Sequence, residues 1–127
     1  MLAVLLVALG GALGSISRYL TVRYVQSSVV TAFPWGTLVV NAGGCLLIGL
    51  LFGFADGRAW FSTNLRGLLS VGFLGGFTTY SAFSYETVTL ARNGLIAQAV
   101  LNVALQLFVG IAAVAIGLSL AHLARPS

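Results

Sequence analysis

Eight neutral hydrogen-bonding side chains stand inside otherwise apolar runs of this 127-residue chain: Thr37, Asn41, Thr78, Thr79, Ser81, Ser84, Asn102 and Gln106. Aromatic residues are interleaved with them. Amide N–H and hydroxyl groups donate hydrogen bonds to an anion, and aromatic ring edges carry partial positive charge where ring faces repel. Neutral donors suit a small ion that must leave as easily as it enters, whereas a deep fixed charge would hold it too tightly. Backbone carbonyls freed near Gly75-Gly76 point the other way, since carbonyl oxygen suits a hard cation. The residue types alone therefore indicate a small-anion conductor with a structural cation at a helix break.

Catalysis finds no support. Lys is absent, His122 is the one histidine, and the two acids, Asp56 and Glu86, fall in different segments. No nucleophile, base and orienting group can be assembled from these. No Cys/His cluster suggests a transition metal. Cys45, alone in an apolar run, reads as a small packed residue.

The elements that must position the polar set are membrane spans. The chain is 59% apolar and 6% charged, with mean hydropathy +1.06. Soluble domains carry about 25% charged residues, so this is an integral membrane protein. Its length allows one domain, 1–127, of four spans at about 20 residues each. The apolar pattern divides at 2–25, 35–54, 63–90 and 95–123. The N-terminal run lacks a positive leader and continues past Gly14, so it reads as a retained first span rather than a signal peptide. Six scattered Arg residues give a net charge of +4 but no nucleic-acid footprint.

In the first span, Gly10-x-x-x-Gly14 lets a neighbouring helix approach closely. About 16 residues precede Arg18, roughly 24 Å of rise, which sets Arg18 at vestibule depth near the far interface. Pro34-Trp35 opens the second span, where Thr37 and Asn41 share one face. Asn41 serves either as an interhelical clamp or as an amide donor in a pore. Asp56-Gly57-Arg58 turns the chain into the third segment, where Leu65 to Leu74 reads as an ordinary helix. Gly75-Gly76 then weakens it, and the following hydroxyls offer substitute partners for freed backbone groups. A broken helix lining something polar competes here with a Gly-rich packing face. Glu86 reads as an interfacial acid. In the fourth span, Asn102, Gln106 and Gly110 form a stripe spaced by four, which interhelical hydrogen bonding alone can explain.

With four spans the termini share a side. Arg58, Arg66 and Arg125 then face Arg18, Arg23 and Arg92 across the membrane, with no imbalance to set orientation. Two copies inserted in opposite senses can pair about a two-fold axis in the membrane plane. The expected fold is thus an all-α membrane protein: four transmembrane helices, a break in the third, and an antiparallel dual-topology dimer.

Three stretches carry a family resemblance: Gly10-Gly11-Ala12-Leu13-Gly14-Ser15-Ile16-Ser17-Arg18-Tyr19, Gly36-Thr37-Leu38-Val39-Val40-Asn41-Ala42-Gly43-Gly44, and the run from Gly72 through Ser84 with Gly75-Gly76-Phe77-Thr78-Thr79-Tyr80 at its centre. On these the chain resembles the Fluc (CrcB) family of fluoride ion channels, with the fourth-span stripe matching more loosely. The resemblance implies passive fluoride export that relieves fluoride toxicity, by a multi-pass protein of a bacterial or archaeal plasma membrane. It implies an antiparallel dimer with a second copy or a paralogue, and two fluoride pathways. A central sodium ion would be held by main-chain carbonyls of Gly75 and Thr78. The paired pore phenylalanines of the family fall on Tyr80 and Phe83 and its pore asparagine on Asn41. The hydroxyl track would include Thr37, Thr79, Ser81 and Ser84, and Arg18 would sit in the vestibule. Here Tyr80 replaces the usual first Phe, Ala82 stands where a hydroxyl is common, and Gln106 replaces a usual Ser. Two rival classes are a small dual-topology multidrug exporter and a non-conducting scaffold subunit. The first needs a titratable acid in the first span, and Leu2 to Val25 has none.

Overall fold

The computed structural model describes residues 1–55 and 57–124; Asp56 and Arg125 lie outside the described residues. Helix α1 spans Leu2–Ser27 and α2 spans Trp35–Ala55. Gln26 closes the turn between them: its Nε2 donates to the Phe33 carbonyl at 3.2 Å and its Oε1 accepts from the Gly36 N–H at 3.4 Å. Pro34 carries no N–H of its own, and its carbonyl accepts the Leu38 N–H at 3.2 Å to start α2. The last helix, α6, spans Ile96–Leu123. Helices α1, α2 and α6 are each long and apolar enough to cross a membrane.

The third segment is assembled from pieces. Ser62 caps α3 (Thr63–Arg66) through its side chain, which accepts the Leu65 N–H at 3.3 Å. A π-helix, π1, follows over Gly67–Leu74, and α4 covers Gly75–Phe77. Thr78 and Thr79 are extended, at φ −86°, ψ 160° and φ −152°, ψ 116°. Helix α5 then runs Tyr80–Arg92. Two expectations are corrected. The stretch before the glycine pair is not an ordinary helix but π-helical. The break, expected over Gly75 through Thr78, is confined to Thr78-Thr79, because these β-branched residues favour extended backbone while Gly75–Phe77 stays helical. Gly94, at φ +79°, turns the chain from α5 into α6.

Close backbone contact explains the glycines of the segment. A methyl group on Gly14 would overlap the Phe73 carbonyl, and one on Gly10 the Leu68 carbonyl. A methyl on Gly72 would come within 2.8 Å of the Val7 carbonyl, and one on Gly76 would press on Gly11. Leu68, Gly72 and Gly76 all abut α1, and the wider turn of a π-helix keeps residues four apart aligned along it. Helices α2 and α6 interlock in the same manner, with Gly49 against Val114 and Gly117 against Leu46.

The outside is greasy, and the inside mixes apolar side chains such as Val40 and Leu38 with a few buried polar ones. Leu5, Leu9, Leu13, Ile16, Leu20, Leu107 and Ile111 are all exposed, while Thr37 and Asn102 are among the largest fully buried side chains. Lipid tails are as apolar as leucine, so helices here associate through close packing and hydrogen bonds rather than by hiding apolar surface.

Candidate functional site

Thr79 leaves its N–H and carbonyl without helical partners, and Asn41 of α2 takes both. Its Oδ1 accepts the Thr79 N–H at 2.8 Å, and its Nδ2 donates to the Thr79 carbonyl at 2.9 Å. The same Nδ2 donates to Gln106 Oε1 of α6 at 3.0 Å. The Asn41 amide thus pairs with the Thr79 peptide much as a neighbouring strand would, which lets the helix open without orphaned groups. Thr79 also caps α5, its Oγ1 accepting the Ala82 N–H at 3.2 Å. Of the two sequence-based readings of Asn41, its hydrogen bonds match the clamp. Both of its N–H groups donate within the protein, to the Thr79 carbonyl and to Gln106.

Further polar contacts tie the break to its surroundings. Arg18 Nη1 donates to the Thr78 carbonyl at 3.3 Å, so the guanidinium turns inward to the break rather than out to the interface. Thr37 Oγ1 donates to Glu86 Oε1 at 2.7 Å. This pairing was missed in the sequence, where Glu86 read as a plain interfacial acid. The available signal was register: Thr37 and Asn41 share a face of α2, and Glu86 lies seven residues, about two turns, beyond Thr79, the cap of α5. Asn102 is fully buried, with its Nδ2 donating to Thr87 Oγ1 at 2.9 Å. Thr87 passes the bond on to the Phe83 carbonyl at 2.8 Å.

A cavity lies on each side of the break, and Thr79 borders both. The first, about 580 Å³, is lined by Asn41, Gly75, Thr78, Tyr80, Phe83 and Gln106, with Cys45 in its wall. No charged side chain is among its lining residues. The Tyr80 and Phe83 rings meet edge-on at its rim, with centroids 5.5 Å apart. The second, about 460 Å³, is lined by Arg18, Arg23, Thr37 and Glu86 among others. Ser81, Ser84 and Asn102 border neither. Ser84 turns its hydroxyl back on the Tyr80 carbonyl at 3.0 Å, and Ser81 lies 3.4 Å from Thr79 Oγ1. The structure therefore gathers Asn41, Gly75, Thr78, Thr79, Tyr80, Phe83 and Gln106 at one cavity and Arg18 and Thr37 at the other.

The comparisons with known proteins bear on the same stretch. Residues 5–118 match the family described as CrcB-like protein, Camphor Resistance (CrcB). The chain belongs to the CrcB family. The CrcB chain is 44% identical over 115 residues to a Flavobacterium psychrophilum protein named Fluoride-specific ion channel FluC, covering 91% of this chain and 93% of the relative. A Thermus thermophilus protein of the same name is 50% identical over 107 residues, 84% of each chain. A third, from Rhizobium etli, is 42% identical over 120 residues, 94% of this chain and 96% of the relative. With its apolar helices, the CrcB chain is a membrane protein.

Proposed function

We propose that this chain is a fluoride-selective channel that lets fluoride leave the cell passively across the plasma membrane. The observation that carries the reading is the broken third segment. It opens onto a cavity lined by Asn41, Thr78, Thr79, Tyr80, Phe83 and Gln106 among apolar side chains, with no charged residue in the lining. Such a wall stabilises a small anion without trapping it. The relatives named as fluoride-specific channels support the choice of ion. The broken segment supplies a fourth crossing, 63–92, beside α1, α2 and α6. Purified protein in liposomes loaded with fluoride is expected to release it while retaining chloride. Fluoride that stays trapped around folded protein would sink the reading.

The working unit proposed is a dimer of two copies inserted in opposite senses, about a two-fold axis in the membrane plane. The near balance of Arg residues supports dual insertion. A sodium ion at that axis fits the donors present. Asn41 takes the Thr79 N–H, the donor that a continuing helix would give the Gly75 carbonyl. The Thr78 carbonyl keeps a second lone pair beside the one that the Arg18 guanidinium meets at 3.3 Å. Gly75 and Thr78 would hold the ion through main-chain oxygen, and its role would be to tie the two broken segments together. An ion at 100 times its dissociation constant adds about 2.7 kcal/mol. Replacing sodium by N-methylglucamine at fixed ionic strength is therefore expected to lower the dimer's melting temperature. A melting temperature indifferent to sodium argues against the Gly75/Thr78 assignment.

A further inference from the structure

The arginines are not equally engaged. Arg18 donates to the Thr78 carbonyl and Arg23 to the Tyr19 hydroxyl. Arg66 is held differently. Its guanidinium lies over the Phe52 ring, 5.0 Å from the centroid, where the ring face attracts a cation. The ring fixes where the charge sits but uses none of its N–H donors. Among the described residues those donors meet no acceptor and no carboxylate, and the side chain is exposed.

The place is the edge of the membrane. Helix α2, at 21 residues, about matches the hydrocarbon thickness, so its end marks the headgroup boundary. Phe52 lies three residues before that end, and Arg66 three residues after the third segment begins at Thr63. The charge therefore starts about 4.5 Å inside the boundary, and a side chain of this length reaches back to the headgroups. Trp60, 55% exposed, extends the ring row. It packs edge-on to Phe61 at 5.7 Å, and Phe61 packs edge-on to Phe52 at 5.9 Å. The Trp60 indole N–H has no partner among the described residues. About one turn deeper than Arg66, Val71 is exposed and offers apolar surface to an acyl chain.

We propose that Arg66, seated on Phe52 and flanked by the Trp60–Phe61 pair, binds the phosphate of an anionic phospholipid. A planar guanidinium matches two phosphate oxygens at once. Arg58, exposed in the adjoining turn, adds a second positive charge, which favours a headgroup that carries no ammonium of its own. Glu86, the one acid among the described residues, is engaged with Thr37 near the opposite end of α2. Arg66, Phe52 and Trp60 border neither cavity, so this seat is separate from the ion path and does not depend on the fluoride reading.

The test places the full chain in phosphatidylcholine liposomes holding a fixed minor share of brominated phosphatidylglycerol or, in parallel, of brominated phosphatidylcholine. Bromine quenches indole fluorescence on contact. The chain has two tryptophans, and Trp35→Phe leaves Trp60 as the reporter. Phosphatidylglycerol is expected beside Trp60 at about fivefold over its bulk share, the effect of one arginine near an anionic headgroup. Arg66→Gln is expected to remove this enrichment, and Arg66→Lys to keep part of it. Phe52→Leu leaves every charge in place but takes away the ring, and should lower the enrichment about twofold or more. Elution profiles check the folding of each variant, and the comparison of the two lipids with Arg66 intact needs none of these three. Equal quenching by the two lipids there overturns the proposal. Enrichment that survives Arg66→Gln, or that ignores the loss of the ring in Phe52→Leu, is general attraction to a basic protein and overturns it as well.

Discussion

Replacing Asn41 with alanine is expected to abolish fluoride flux and to weaken the fold at the same stroke. Three hydrogen bonds disappear together: one from the Thr79 N–H, one to the Thr79 carbonyl and one to Gln106. Thr79 is buried, and each buried polar group left without a partner costs about 1–3 kcal/mol. Three such groups amount to roughly 3–9 kcal/mol, comparable to the whole stability of many domains. The Gln106 amide, no longer held, is free to turn over. Asn41→Asp separates the parts. The carboxylate still accepts the Thr79 N–H, but it faces the Thr79 carbonyl and Gln106 Oε1 with oxygen, so the loss of flux should persist with a smaller loss of folded protein. Cys45→Ala serves as the control. Cys45 lies in the same cavity wall, and its replacement should leave flux within about threefold, less than one hydrogen bond's worth. Liposome efflux and elution profiles measure both effects. Equal loss from Asn41→Ala and Cys45→Ala would remove Asn41 from the site.

The second large effect is expected at Gly14. A methyl group there would run into the Phe73 carbonyl and come within 2.9 Å of the Phe77 N–H. Both obstacles are backbone, so no side chain can swing aside. Overpacking typically costs about 1–3 kcal/mol, and here it also pries α1 from the segment that carries the break. Gly14→Ala should cut the yield of monodisperse protein, and Gly14→Leu should eliminate it. Gly11→Ala is the matched control three residues away. Its methyl finds the Gly72 carbonyl at an ordinary 3.9 Å, and alanine favours the helix over glycine by about 1 kcal/mol. Recovery after detergent extraction reads the difference. If Gly14→Ala behaves as Gly11→Ala does, α1 and π1 are not locked at Gly14.

Much of the frame was legible in the sequence. The four apolar runs fall within about two residues of the observed segment ends, because membrane thickness sets their length. Gly10 and Gly14 announced a close-packed face. The break was legible, but it starts at Thr78, the last residue of the expected 75–78 stretch, and runs on through Thr79. Gly75-Gly76 reads as weak helix by propensity, yet Gly76 has a packing duty against Gly11, and the opening falls to the two threonines. The π-helix left no sequence mark, since a wider turn uses the same residue types. The partner of Asn41 was not legible either. Spacing by four says which face a side chain occupies, not which backbone across the gap it meets. Ser81 and Ser84 illustrate the converse. Their type suited a polar track, but a helical hydroxyl has its own backbone within reach, and Ser84 uses it.

The two extended residues also arrange the field of the third segment. The helical run 63–77 ends at the break with carbonyls exposed, the partially negative end of a helix. Helix α5 begins two residues later at its partially positive end, where Thr79 Oγ1 accepts the Ala82 N–H. Thr78 and Thr79 therefore join the negative end of one helix to the positive end of the next, with the two dipoles in series along the chain. One short stretch of neutral backbone thereby presents partial charge of both signs, negative toward the 63–77 run and positive toward α5.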